Sequence, residues 1–194
     1  MRITDKYEEL IIKDNKMHSA ALHPESRILM RSWRALNGLE GESLTETVRG
    51  RDASTLVDRL FLLQKSGEGV FTFRTVGKEL KIWTGRDLRE HDVSSIFHGP
   101  DKVLVRALLE SAIATPGPAL ARLAAFGVGA GQRTDIEMVF LPLLDSGKAD
   151  KLLGLFQPLS ANINVSRPIL RFSLTALLPP DPSSPIKPDL RVIS

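Results

Sequence analysis

The apolar positions of this chain change period several times, and each change marks an element. Residues 5 to 14 place Tyr7, Leu10 and Ile11 on a narrow stripe, with Asp5 and Glu8 in capping-box spacing. They predict a short helix, marginal on its own, that has to dock on the domain's own sheet or on a second subunit. A better marked helix follows. Pro24 opens it, Glu25 lies in its first turn, Leu29, Trp33 and Leu36 fall at i, i+4 and i+7, and Asn37-Gly38 stops it. Residues 39 to 52 carry no clear period and predict a connecting segment. The apolar run Leu60-Phe61-Leu62-Leu63 is short enough for a strand covered on both faces. After a turn at residues 65 to 69, Phe71 and Phe73 alternate with Thr72 and Arg74, which gives the second strand of a hairpin.

Gly77 breaks that strand, a short helical turn carries Leu80, Ile82 and Trp83, and Gly85 breaks again before Arg86-Asp87-Leu88 opens a loop. Residues 90 to 97 turn Val93, Ile96 and Phe97 inward. Gly99-Pro100 then starts a long helix with the stripe Leu104, Val105, Leu108, Ala112 and Ile113, ended by Pro116-Gly117-Pro118. Ala119 to Phe126 has a helical composition as well, but the flanking prolines and the following turn favour a strand. Thr134, Ile136, Met138 and Phe140 alternate with Asp135, Glu137, Val139 and Leu141, and a further strand covers Leu152 to Leu159. Residues 165 to 178 supply one more strand or a short packed segment through Ile169, Phe172 and Leu174; beyond them five prolines, from Pro179 to Pro188, punctuate a polar tail expected to be extended or disordered. The resulting organisation is an N-terminal helical extension over 1–22, a domain over 23–160 and a C-terminal extension over 161–194 that ends in the Pro-rich tail.

The length of 194 residues, 42% of them hydrophobic, suits one globular domain with a sizeable core. Its 26 basic residues are interspersed with 23 acidic ones, so the net charge of +3 is weak support for nucleic-acid binding. The absence of cysteine rules out disulfides and thiolate metal sites. A charged N-terminus and the lack of an apolar run approaching the ~18 residues of a membrane span predict a soluble, cytoplasmic protein.

Motifs that carry chemistry are sparse. Gly127-x-Gly129-x-Gly131 is followed by strand alternation rather than the helix a dinucleotide loop needs, so it reads as a hairpin turn. The histidines His18, His23, His91 and His98 have no ligand spacing, and Asp135 and Glu137 share a strand face expected to be solvated. Arg27, Arg31 and Arg34 lie off the apolar stripe of their helix and read as a solvated basic face before they read as a phosphate or partner site. No catalytic constellation or metal site is expected. Phe71, Phe73, Trp83, Phe97, Met138 and Phe156 converge between sheet and short helices, as an ordinary filled core or, less simply, as a ligand cavity.

The element order is strand, strand, short helix, loop, short helix, long helix, three strands. Together with His23-Pro24-Glu25, Arg34, Phe61-Leu62-Leu63, Phe73-Arg74-Thr75-Val76-Gly77, Gly85-Arg86-Asp87-Leu88 and Leu141-Pro142-Leu143, it resembles a single-domain PAS family common in alphaproteobacteria. The resemblance covers roughly residues 20 to 160. It implies an α+β fold: a five-stranded antiparallel sheet in the order 2-1-5-4-3, helices over one face enclosing a small pocket, and N-terminal helices that cap the other face or pair two subunits. It implies a sensory or signalling module that acts through protein–protein contacts and takes a small ligand in its core, with Phe73, Trp83, Arg86, Phe97 and Met138 as candidate ligand-binding residues. A homodimer and an unidentified signalling partner are the expected partners. No cofactor is expected: there is no cysteine for a flavin adduct, the one tyrosine is Tyr7 outside the core, and no histidine lies within the long helix. No kinase, cyclase or DNA-binding domain accompanies the domain, so its output is expected to pass through another protein. The alternative is a small α+β enzyme using Asp135, Glu137 or His98 as acid or base.

Overall fold

The computed structural model describes residues 22–37, 56–145, 147–160 and 163–182; the expected helix over 5–14, the connection over 39–52, His18 and most of the Pro-rich tail lie outside them. Helix α1 is Pro24–Leu36. His23 caps it by accepting the Glu25 N–H on Nδ1 at 3.3 Å, and Asn37 closes it by donating from Nδ2 to the Trp33 carbonyl at 2.7 Å. The hairpin strands β1 (Leu60–Gly67) and β2 (Val70–Val76) follow. Helix α2 (Lys78–Thr84) ends on Gly85, whose φ of 70° is the left-handed conformation that a helix stop favours. A 3₁₀ turn at Val93–Ile96 is capped by Asp92, which accepts the Ser94 N–H at 2.6 Å. Helix α3 (Asp101–Ala114) leads to strands β3 (Ala119–Phe126), β4 (Arg133–Asp145), β5 (Lys148–Pro158) and β6 (Arg171–Leu178).

All neighbouring strands pair antiparallel in the order β2-β1-β5-β4-β3-β6. The expected 2-1-5-4-3 core is present, and the segment expected to be a strand or packed piece becomes a sixth strand beside β3. Strand β5 begins at Lys148 rather than Leu152, because its polar first turn already pairs with the end of β4 through Lys148 and Ala149. The ambiguous Ala119–Phe126 is a strand, and the glycines 127 to 131 turn the chain into β4.

Both faces of the sheet are apolar at its centre, so both are covered. On the inner face Phe61, Phe73, Ile136, Met138, Phe140, Leu152 and Phe156 form one cluster with residues of α2 and α3. On the outer face Leu120, Val139, Leu141 and Leu155 are covered by α1 through Trp33, whose Nε1 donates to the Pro142 carbonyl at 2.7 Å. The sheet edges are blunted as well. Phe73 on β2 donates to the His91 carbonyl at 3.0 Å and accepts from Glu90 at 2.8 Å, while Leu174 N–H on β6 donates to Asp101 Oδ2 at 2.9 Å.

Gly154 in β5 pairs with Phe61 on one side and Phe140 on the other. A Cβ there would collide with the edge of the Phe61 ring at Cε2, so the glycine is what lets that ring pack against β5. Gly154→Ala is expected to cost about 1–3 kcal/mol by overpacking, seen as a melting temperature several degrees lower; an unchanged melting temperature would place the ring elsewhere. At the hairpin, Glu110 of α3 accepts from Lys65 Nζ at 2.6 Å and from Gly69 N–H at 2.8 Å. Burial pushes its carboxyl up, but these two bonds and the Lys65 charge together bring it below its usual 4.5. A depressed carboxylate contributes stability above its unfolded value and loses it as pH falls through the folded one. Below pH 4.5, therefore, the wild type is expected to lose stability to acid more steeply than Glu110→Gln, as measured by urea melts along a pH series.

Candidate functional site

The space between the inner sheet face and the helices is filled by rings meeting edge to face. Phe61 lies 5.6 Å from Phe73 and 6.0 Å from Phe140, centroid to centroid, and Trp83 lies 5.4 Å from Phe156. Phe172 of β6 inserts from the side, 5.9 Å from Phe156 and 6.5 Å from Phe97. Such pairs each contribute about 0.5–1.5 kcal/mol beyond the area they bury. Of the candidate ligand-binding residues, Phe73, Trp83, Phe97 and Met138 all belong to this buried cluster. Arg86 does not. It is exposed on the rim, where Nη2 donates to the Ser95 carbonyl at 3.1 Å and to Ser95 Oγ at 3.3 Å, tying the loop after α2 to the 3₁₀ turn. Beside it Asp87 accepts from Arg89 Nε at 2.8 Å and from the Arg89 N–H at 3.1 Å, bonds that hold its carboxyl far below the usual range.

Trp83 is held from several sides. Its Nε1 donates to Glu79 Oε2 one helical turn back, at 3.2 Å, and its carbonyl accepts the Ile169 N–H at 2.9 Å. The Arg167 guanidinium lies 5.6 Å from the indole centroid and pairs with Glu79 at 3.7 Å. The chain leading into β6 is thus laid directly across the end of α2. The chemistry available inside is that of polarizable apolar surface, suited to aromatic or aliphatic groups.

The outer face holds a polar cluster where a solvated pair was expected. Asp135 is exposed and pairs with Arg133 at 3.0 Å, but Glu137 is 0% exposed. The start of α1 covers it: Glu137 Oε1 accepts the His23 N–H at 3.3 Å, and Oε2 pairs with Arg122 at 2.6 Å. Alternation along the strand cannot foresee this, because the covering element comes from more than a hundred residues earlier. Nearby, Arg59 bonds Gln157 and pairs with Glu25, and Gln157 Nε2 lies 3.4 Å from His23 Nε2.

The acid–base candidates do not come together. Glu137 is sealed against Arg122 on the outer face, Asp135 is on the surface two residues away, and His98 is exposed before α3 on the helix side of the sheet. Arg27, Arg31 and Arg34 lie exposed along α1, and His91 is exposed beside β2. Among the described residues no three His, Cys, Asp or Glu side chains are grouped to hold a metal ion, and no helix is long and apolar enough to cross a membrane. Sequence reasoning missed Phe61, Phe140 and Phe172 as members of the ring cluster. For Phe140 and Phe172 the signal was the alternation of their strands; Phe61 sits in a continuous apolar run, where period alone does not say which face a residue takes.

A family model described as PAS domain matches residues 21–157. Among solved structures, the chain is similar to a LOV protein of Rhodobacter sphaeroides, at 14% identity and a TM-score of 0.43 over 73% of this chain and 70% of that one. It is also similar to a variant of RsLOV, at 15% identity and a TM-score of 0.42 over 74% of this chain and 73% of that one. No curated protein matches.

Trp83→Ala removes the largest buried ring of the cluster and is expected to cost about 3–5 kcal/mol, a fall of roughly 10 °C in melting temperature for a domain of this size. Scanning calorimetry checks it, and an unshifted melt would show that the indole is not part of the core.

Proposed function

Since the chain belongs to the PAS domain family, with the family match spanning residues 21–157, we propose that it is a sensory or signalling module whose output is made through protein–protein contacts. The observation that carries this reading is the ring-filled interior. Phe61, Phe73, Trp83, Phe97, Phe140 and Phe156 are each at most 1% exposed, and all but Phe97, whose ring is tilted against Phe172, meet a neighbour edge to face. An interior packed this way transmits displacement, because close-packed side chains shift together rather than singly. Large apolar side chains left in solvent, among them Leu36 at 74% and Val128 at 76%, supply surface of the kind that partner proteins cover.

A second reading has its own support. Phe73, Trp83, Phe97 and Met138 belong to one packed apolar cluster, so a small apolar ligand would find matching chemistry there once the rings parted. Nothing in the arrangement favours the enzyme alternative, since Asp135, Glu137 and His98 lie apart.

The test uses a photoreactive residue at Leu36 in the native cell, together with native mass spectrometry and a thermal-shift screen on the purified chain. A discrete adduct with another protein, and no retained small molecule, is the expected result. A retained apolar compound that raises the melting temperature, with no protein adduct, would overturn contact signalling in favour of the ligand reading.

A further inference from the structure

His23 joins the first turn of α1 to the sheet, and both nitrogens of its ring face donors. Pro24 has no N–H, so the Glu25 N–H is the first in the helix that needs an acceptor, and it points at His23 Nδ1 at 3.3 Å. On the other side Gln157 Nε2 lies 3.4 Å from His23 Nε2. The orientation of that amide is set by its other partners: Oε1 takes the Arg59 guanidinium, which can only donate, and Nε2 gives a hydrogen to the Pro158 carbonyl at 2.7 Å. Its remaining hydrogen therefore faces the ring. A neutral imidazole accepts at one nitrogen and so satisfies one of the two donors, whereas a charged ring accepts at neither and sets donor against donor at both.

The charged groups around His23 balance among the described residues. On α1 Glu25 is paired with Arg59, which precedes β1, and on the sheet Glu137 of β4 is paired with Arg122 of β3 at 2.6 Å. Gln157 and Pro158 of β5 are neutral, and Arg27, the next charged residue of α1, is exposed. Glu137 is also engaged by the His23 backbone, whose N–H it accepts at 3.3 Å. A proton on the ring thus adds an unbalanced positive charge beside two guanidiniums whose carboxylates are already taken. Histidine is the side chain that ordinarily takes up such a proton between about pH 5 and 8.

We propose that His23 is a proton-operated latch on α1: with the ring neutral the first turn of the helix is bonded to β4 and β5, and with the ring charged the helix leaves the sheet. Release uncovers Glu137 and the outer cluster of Leu120, Val139, Leu141 and Leu155. The 13 residues of α1 are marginal as an isolated helix, so the helix docks or leaves as a unit. Trp33, bonded to Pro142 near the far end, therefore reports the state of the latch. The device stands whether or not the chain signals through protein contacts.

5-Fluorotryptophan labels Trp33 and Trp83, the chain's two tryptophans, and Trp33→Phe identifies the Trp83 line. As the full chain is taken from about pH 8 to about pH 5, the Trp33 ¹⁹F resonance is expected to move to its position in a synthetic peptide of residues 22–37, while the Trp83 resonance stays in place. One proton per release makes the ratio of docked to released helix fall by about tenfold per pH unit once the ring titrates. His23→Asn keeps a capping side chain that does not titrate and is expected to leave Trp33 docked throughout. His18→Asn, His91→Asn and His98→Asn together leave His23 as the one histidine, and its Cε1 proton resonance is expected to titrate over the same interval as the Trp33 line. This second variant keeps the test decisive if His23→Asn fails to fold. The proposal is overturned by a Trp33 resonance that stays in place, by one that moves equally in His23→Asn, by one that moves together with Trp83, or by ring and indole titrating over different intervals.

Discussion

The missing side chain at Gly154 sets the depth of the whole interior. With no Cβ in the middle of the sheet, Phe61 and Phe140 close over the central strand from both sides, and Phe73 then meets Phe61 edge-on. Trp83 and Phe156 meet one register step away, and Phe172 completes the row from the last strand. A β-branched or larger residue at position 154 would lift Phe61 and with it the rest of the stack.

Most of the fold was legible because its elements obey simple periods. The alternation in β2 and β4, the stripe of α3 and the Pro24 to Asn37 limits of α1 all follow from local sequence. What was not legible came from long range. Glu137 is spaced like a surface residue, but the start of α1 covers it, and the Arg122 guanidinium offsets the cost of burying its charge. Phe172 and Leu174 carry a strand pattern, but the sequence does not say that they pair with β3 and cap the ring cluster. Arg86 was expected among the ligand-binding residues, and its exposed side chain instead bonds Ser95 across the loop that follows the left-handed Gly85.

The two faces of the sheet are built from different chemistry. Inside, dispersion and ring contacts dominate, and any rearrangement moves several side chains at once. Outside, the start of α1 is held by directional polar bonds through His23, Glu25, Arg59, Glu137 and Gln157, which are made or lost one at a time. A domain of this construction can be stiff within and adjustable at its cover, and the two meet in β4 and β5, whose residues alternate between the faces.

The bond from Leu174 to Asp101 joins residues 73 positions apart, and it has a consequence for synthesis. The chain is made from its N-terminus, so α3 and the first five strands are complete when residue 158 has been added, while the strand that shields the edge of β3 is not. At roughly 5–20 residues per second the remaining stretch to Leu174 takes about 1–3 s. During that interval β3 presents an unpaired edge and Phe156 lacks the ring that covers it. The nascent protein is therefore most exposed to pairing with neighbouring chains on the same polysome just before its last strand emerges.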